Sequence, residues 1–153
     1  MGTVSVLAVN DTLTAGVEND IANQINQMHG YITYPGAGET TPGAGSATWV
    51  TMGNVTVPAW ASKAIVSLTI TSITAGAVVG AVGLAVKIGS STGAVHRTTA
   101  AVTGRNPPYA IVDQLTSVPT GSQSVTIQAT FVSGNVLTAT APCQFDLSIN
   151  WLA

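Results

Sequence analysis

From Trp49 to the C-terminus, apolar and polar residues alternate with a period of two. Val66, Leu68 and Ile70 alternate with Ser67, Thr69 and Thr71, and Val125, Ile127, Ala129 and Phe131 with Thr126, Gln128 and Thr130. At the C-terminal end Phe145, Leu147, Ile149 and Trp151 alternate with Gln144, Asp146, Ser148 and Asn150. Successive side chains of a strand point to opposite faces, so this pattern predicts strands with one face in a core. Gly, Pro and Asn positions at 89–93, 104–108, 119–121, 134–135 and 142 interrupt the alternation at the spacing of short strands joined by turns. The expected fold is mainly β: an antiparallel β-sandwich, close to a jelly roll, of about eight strands.

The N-terminal part reads differently. Residues 4–9 (VSVLAV) are a short apolar run that suits an extended arm or edge strand. Val17, Ile21, Ile25 and Met28 then recur at helical spacing and share one face. Thr14 can cap the start of such a helix, Glu18 and Asp20 suit its positive end, and Gly30 can terminate it. The short α-helix expected over 14–29 has Asn-rich flanks and is marginal alone, so its apolar stripe needs a partner. Either its own β-domain or a helix bundle between subunits would serve, and Val17, Ile21, Ile25 and Met28 are the candidate attachment or oligomer interface. Residues 31–47, with two PGAG units, read as a Gly/Pro/Thr connector. The expected organisation is therefore an arm and helix over 1–30, a linker over 31–47 and a β-sandwich over 48–153.

Residues 64–86 carry no charge, and Gly76 and Gly80 form a small-xxx-small pair, two features of a self-associating membrane helix. The strand period within this stretch argues otherwise. Val66, Leu68 and Ile70 alternate with Ser and Thr, and Val82, Leu84, Val86 and Ile88 alternate with Gly83, Ala85 and Lys87. Two paired strands are the better reading. The Gly/Ala face of the second would let another backbone or sheet approach closely, and neighbouring protein is expected to cover much of this surface.

Composition sharpens that reading. Only 7% of the 153 residues are charged, against roughly 25% in an ordinary domain, and the mean hydropathy is +0.42. Charge is depleted at the cores of protein interfaces, so a charge-poor chain without a membrane signature suggests a subunit that buries surface in an assembly. The basic residues Lys63, Lys87, Arg97 and Arg105 are scattered, which argues against nucleic acid. The single cysteine, Cys143, excludes an intrachain disulfide and reads as a small buried hydrophobe. The N-terminus lacks the basic region and cleavage site of a secretory signal.

Candidate chemistry is sparse. His29 falls at the expected helix end, His96 has no acidic residue near it in sequence, and Asp113 and Asp146 are isolated carboxylates. There is no nucleophile elbow, phosphate loop or metal-ligand spacing, so the expectation is a protein that is not an enzyme, with no cofactor and no metal. Trp49, Trp60, Tyr31, Tyr34 and Tyr109 are aromatics that could stack on a ligand such as a glycan, Trp49 and Tyr109 being the ligand-facing candidates, whereas Trp60 and Trp151 read better as core or interface anchors.

Residues 56–93, TVPAWASKAIVSLTITSITAGAVVGAVGLAVKIGSSTG, resemble a recurrent tail and fibre domain of tailed bacteriophages. Val57-Pro58-Ala59-Trp60-Ala61-Ser62-Lys63 and Lys87-Ile88-Gly89 carry the match, and the ending Asn150-Trp151 is similar to the closing strand of such domains. Residues 13–19 (LTAGVEN) resemble the entry into a short helix near the start of small phage structural proteins. The resemblance implies a virion structural protein: a homo-oligomeric β-sandwich, a homotrimer above all, attached through its N-terminal region to major capsid or tail proteins. A repetitive shaft is missing, which favours a head-decoration or tail-accessory protein. The alternative it leaves is a host-receptor or carbohydrate-binding module of a tail fibre.

Overall fold

A computed structural model describes residues 28–36, 39–40, 45–71, 73–75, 80–100, 104–106, 108–131, 137–139 and 143–153. Thirteen strands make up the regular structure of these residues, and no helix occurs among them. In chain order they are β1 (His29–Pro35), β2 (Glu39–Thr40), β3 (Gly45–Val57), β4 (Lys63–Ile70), β5 (Ile73–Ala75), β6 (Gly80–Ile88) and β7 (Ser91–Thr92). Then follow β8 (His96–Ala100), β9 (Gly104–Asn106), β10 (Tyr109–Thr116), β11 (Gly121–Phe131), β12 (Leu137–Ala139) and β13 (Gln144–Leu152).

Sheet A has the order β1-β13-β4-β10, and sheet C the order β3-β11-β6-β7 with β8 also on β6. A short sheet B has the order β2-β12-β5-β9, which repeats that of sheet A strand for strand. Each strand of sheet A thus runs on into its counterpart in sheet B. Proline marks the break: Pro35 ends β1 and Pro108 stands between β9 and β10. A proline has no N–H to give a ladder and is confined to edges and strand ends. At the same level Gly36 N donates to Cys143 O (2.8 Å) and Thr71 N to Gln144 O (2.9 Å), which carries the β1–β13 and β13–β4 ladders one residue further.

Sheets A and C face each other. Alternation sends Ala64, Val66, Leu68 and Ile70 of β4 inward with Phe145, Leu147, Ile149 and Trp151 of β13. Opposite them lie Val82, Leu84, Val86 and Ile88 of β6 and Val125, Ile127 and Ala129 of β11. The long uncharged stretch is therefore two strands, as its period predicts, but they do not pair with each other. β4 lies between β13 and β10, and β6 between β11 and the β7/β8 edge. The intervening chain crosses from one sheet to the other, which places both strands at the centre of the core. On the outer side of β6, the side chain of Val95 sits where a Cβ on Gly83 would be. Part of the expected close approach is thus made by the chain's own loop.

Two further expectations need correction. His29 does not end a helix, because residues 29–35 are β1, paired with β13 from His29↔Asn150 to Pro35↔Gln144. The same pairing makes residues 31–35 of the expected connector a sheet strand. Gly30, Ile32 and Tyr34 point to the core side and His29, Tyr31 and Thr33 away from it, a short alternation masked by the PGAG turn signals beside it. The rest of the expected helix, with Val17, Ile21 and Ile25, lies outside the described residues, as does the arm at 4–9. Trp49 is the second correction. The β3–β11 register shifts twice, between Val125/Thr126 and between Ile127/Gln128, leaving Met52 and Trp49 as the extra residues of two bulges. A bulge re-aims the side chains around it. Trp49 and its neighbour Val50 both turn inward, and the Trp49 ring meets Phe145 edge-on at 5.4 Å between centroids.

This register sets up a direct contrast on neighbouring strands. Leu68 is fully buried on the inner face, while Val112, beside its neighbour Ser67, is 65% exposed on the outer face. Leu68→Ala is expected to lower the unfolding free energy in urea titration by about 2–5 kcal/mol. Val112→Ala is expected to stay within about 0.5 kcal/mol of the parent chain. Equal effects at the two positions would mean that the faces are misassigned.

Candidate functional site

The outer face of sheet A concentrates side chains that have no packing duty. On β1 and β13 these are His29, Tyr31 and Thr33 with Asp146, Ser148 and Asn150; β4 and β10 add Ile65, Ser67, Thr69, Ala110, Val112 and Gln114. The ladder aligns them in rows across the sheet, one running Tyr31–Ser148–Ser67–Val112 and the next His29–Asn150–Ile65–Gln114. Tyr31 is 66% exposed, Val112 65% and Ile65 39%, and Met28, just before β1, is 45% exposed. Among the described residues the only other large hydrophobic as exposed is Val95.

Asp146 organises the polar part of this face. Its Oδ1 accepts hydrogen bonds from Tyr31 Oη (3.0 Å), Thr33 Oγ1 (2.8 Å) and Gln144 Nε2 (2.9 Å), and Gln144 Nε2 also lies 3.0 Å from Oδ2. The Gln144 amide, with help from Thr33 and Tyr31, holds the carboxyl below the usual carboxylate range, although burial pushes the other way. A cross-strand pair (Thr33↔Asp146) and an i, i+2 pair (Gln144, Asp146) put donors on both sides of the carboxylate, so strand geometry builds the cluster. Beside it, His29 Nδ1 and Asn150 Oδ1 are 2.6 Å apart.

A second cluster ties the two sheets at one edge. Asp113 points inward from edge strand β10, and its Oδ2 accepts the Ala94 N–H (2.5 Å) while its Oδ1 accepts the Gln114 N–H (2.8 Å). His96 Nε2, on β8 of sheet C, lies 3.5 Å from the same Oδ2. Gly93 is held by its N–H to Val86 O (2.9 Å), and a Cβ there would strike Asp113. Ser91 Oγ donates to Thr116 O (2.6 Å), closing the same seam one turn away. His96 does have an acidic partner, then, but one 17 residues distant that only the folding of the two sheets brings close. The Ser91 hydroxyl is taken up by the Thr116 carbonyl, and the cluster reads as a structural tie.

The structure scatters the residues singled out from sequence. Met28 is in a turn, and its carbonyl accepts the Trp151 N–H (2.9 Å). Trp49, expected to face a ligand, is 5% exposed and belongs to the core. Tyr109 is half-buried against that core, as is Trp60, while Trp151 and Cys143 are buried within it. Sequence reasoning misses Tyr31 and Asp146 as partners, because the seven-residue alternation of β1 straddles the expected helix end and the turn-rich connector. Among the described residues no group of His, Cys, Asp and Glu could hold a metal ion, and no helix is long and apolar enough to cross a membrane.

Two outcomes follow from these clusters. Asp113→Ala is expected to cost about 1–3 kcal/mol of stability, since it strips an acceptor from the Ala94 N–H. Hydrogen exchange at Gly93 and Ala94 should accelerate more than at the core amides of β11; uniform acceleration would contradict a local tie. For Asp146 the folded carboxyl titrates below its unfolded value of about 3.9, so its contribution to stability is present above that pH. It is lost as the pH falls through the depressed folded value. The gap in denaturation midpoint between the parent chain and Asp146→Asn should therefore close on acidification through that window, and a gap that widens there would overturn the assignment.

No known family profile matches the chain, and no curated protein does either. Among solved structures, the chain is similar to one chain of the structure of infectious bursal disease virus, Gx strain, with a TM-score of 0.40 and 14% identity over 79% of this chain and 31% of that one. It thus spans under a third of that chain's length.

Proposed function

We propose that this protein is a non-enzymatic structural subunit of a virus particle, in the tailed phages a head-decoration or tail-accessory protein, which works by packing against copies of itself and other virion proteins. The strand order is the observation that carries this reading. With β1/β2, β4/β5, β9/β10 and β12/β13 each counted as one bent strand, one sheet runs first-eighth-third-sixth. The other, through β3, β11, β6 and β8, runs second-seventh-fourth-fifth. We read this as a jelly roll, an architecture used by viral capsid and lectin domains. Fold alone does not choose between such uses. The scarcity of charge and the resemblance of residues 56–93 to phage tail and fibre domains favour the particle. The glycan-binding alternative loses Trp49, which is inside the core, and keeps the exposed Tyr31.

In this reading residues 1–27 are the attachment segment and the sandwich faces outward. Light scattering of the purified chain should give a discrete oligomer, and a trimer would match the phage resemblance. A chain starting at Met28 keeps the carbonyl that receives Trp151 N–H and should retain its β circular-dichroism spectrum. It should no longer bind particles that lack the protein. A parent chain that stays monomeric at high concentration, or a truncated chain that still decorates particles, would refute the corresponding half of the proposal.

A further inference from the structure

We propose that the outer face of sheet A is where a second copy of this chain docks. The inference rests on the reading of the protein as an oligomeric subunit, and it names the surface. Of the large hydrophobics exposed among the described residues, Tyr31, Ile65 and Val112 share this face and Met28 borders it, leaving Val95 elsewhere. An apolar patch gathered on one side of a sandwich, rather than spread singly, marks an interaction surface. The outer face of sheet C offers a contrast. There β3 and β11 present Thr48, Thr51, Thr126, Gln128 and Thr130, and Lys87 of β6 and the exposed Arg97 of β8 accompany Val95, the one exposed large hydrophobic on that side among the described residues.

Charge and area point to a second copy as the occupant. Sheet A shows one carboxylate and, at the end of β4, one ammonium, Lys63. A nucleic acid or an acidic membrane would need a basic field that this face lacks. The carboxylate of Asp146 already has three side-chain donors within its own chain, so a neighbour covering it need not supply them. Between Tyr31 and Val112 the row holds only Ser148 and Ser67, leaving a shallow floor between two larger side chains. The arrangement suits interdigitation with another sheet at the usual spacing of about 10 Å. Four strands about 4.8 Å apart and seven to nine residues long give roughly 500 Å² of flat area per copy. Two such faces bury roughly 1,000 Å² together, at the threshold of about 1,000 Å² for a specific contact between proteins.

The test uses the full chain with Ile65→Arg and Val112→Arg, alone and together, and Thr51→Arg on the outer face of sheet C as control. All three positions are exposed in the single chain, and a retained β circular-dichroism spectrum with a cooperative melt verifies that each variant folds. By analytical ultracentrifugation the double variant is expected to self-associate at least tenfold more weakly, moving toward the 15.4 kDa monomer, while Thr51→Arg behaves as the parent does. If the parent is an oligomer and the double variant matches it, this face is not the interface, although the oligomeric reading stands. A parent chain that is monomeric throughout overturns both. Binding of a monomeric parent to immobilised neutral glucose, galactose, mannose or N-acetylglucosamine oligomers, lost in Tyr31→Ala, would assign the face to a saccharide and overturn the proposal.

Discussion

The apolar inner faces of β4 and β13 press against those of β6 and β11, and the rest of the structure is arranged around that contact. Phe145 shows how tightly the arrangement is set. It receives the Trp49 ring edge-on from sheet C and the Tyr34 ring at 6.2 Å from its own sheet's edge strand. The bulge in β3 at Trp49, opposite Ile127 and Gln128, turns its ring toward Phe145. Without that extra residue, period-two alternation would send Trp49 and Val50 to opposite sides, and one large apolar side chain would be left in water. The edges are then closed by different means. β1 lies over β3 on one side, and on the other the Asp113 carboxylate reaches the loop before β8.

Because the core takes up the inner faces, the outer faces decide what the protein can do. Sheet A exposes few charges and a disproportionate share of the accessible apolar side chains, while its one carboxylate is fastened by neighbours on the same two strands. Pro35 and Pro108 stand where this sheet gives way to the short sheet B, which repeats its strand order. Covering such a surface would take its apolar groups out of water, which is the driving force for the proposed docking.

Much of this architecture could be read from residues alone. The alternation in 65–71, 82–88, 125–131 and 144–151 determined where strands run and which side chains face the core, because the pleat imposes a period of two wherever one face is buried. The same period marked the uncharged, membrane-length stretch as strands. Other features came only with the tertiary structure. The strand at 29–35 is too short for its alternation to outweigh adjacent turn signals, and its pairing with β13 comes from more than a hundred residues away. The inward turn of Trp49 depends on a bulge, which exists only relative to a partner strand. The placing of β4 and β6 in opposite sheets, the approach of His96 to Asp113, and the gathering of Tyr31, Ile65 and Val112 on one face all depend on strand order. A sequence pattern fixes the two faces of a strand, but strand order is chosen by long-range pairing, and local periodicity holds no record of it.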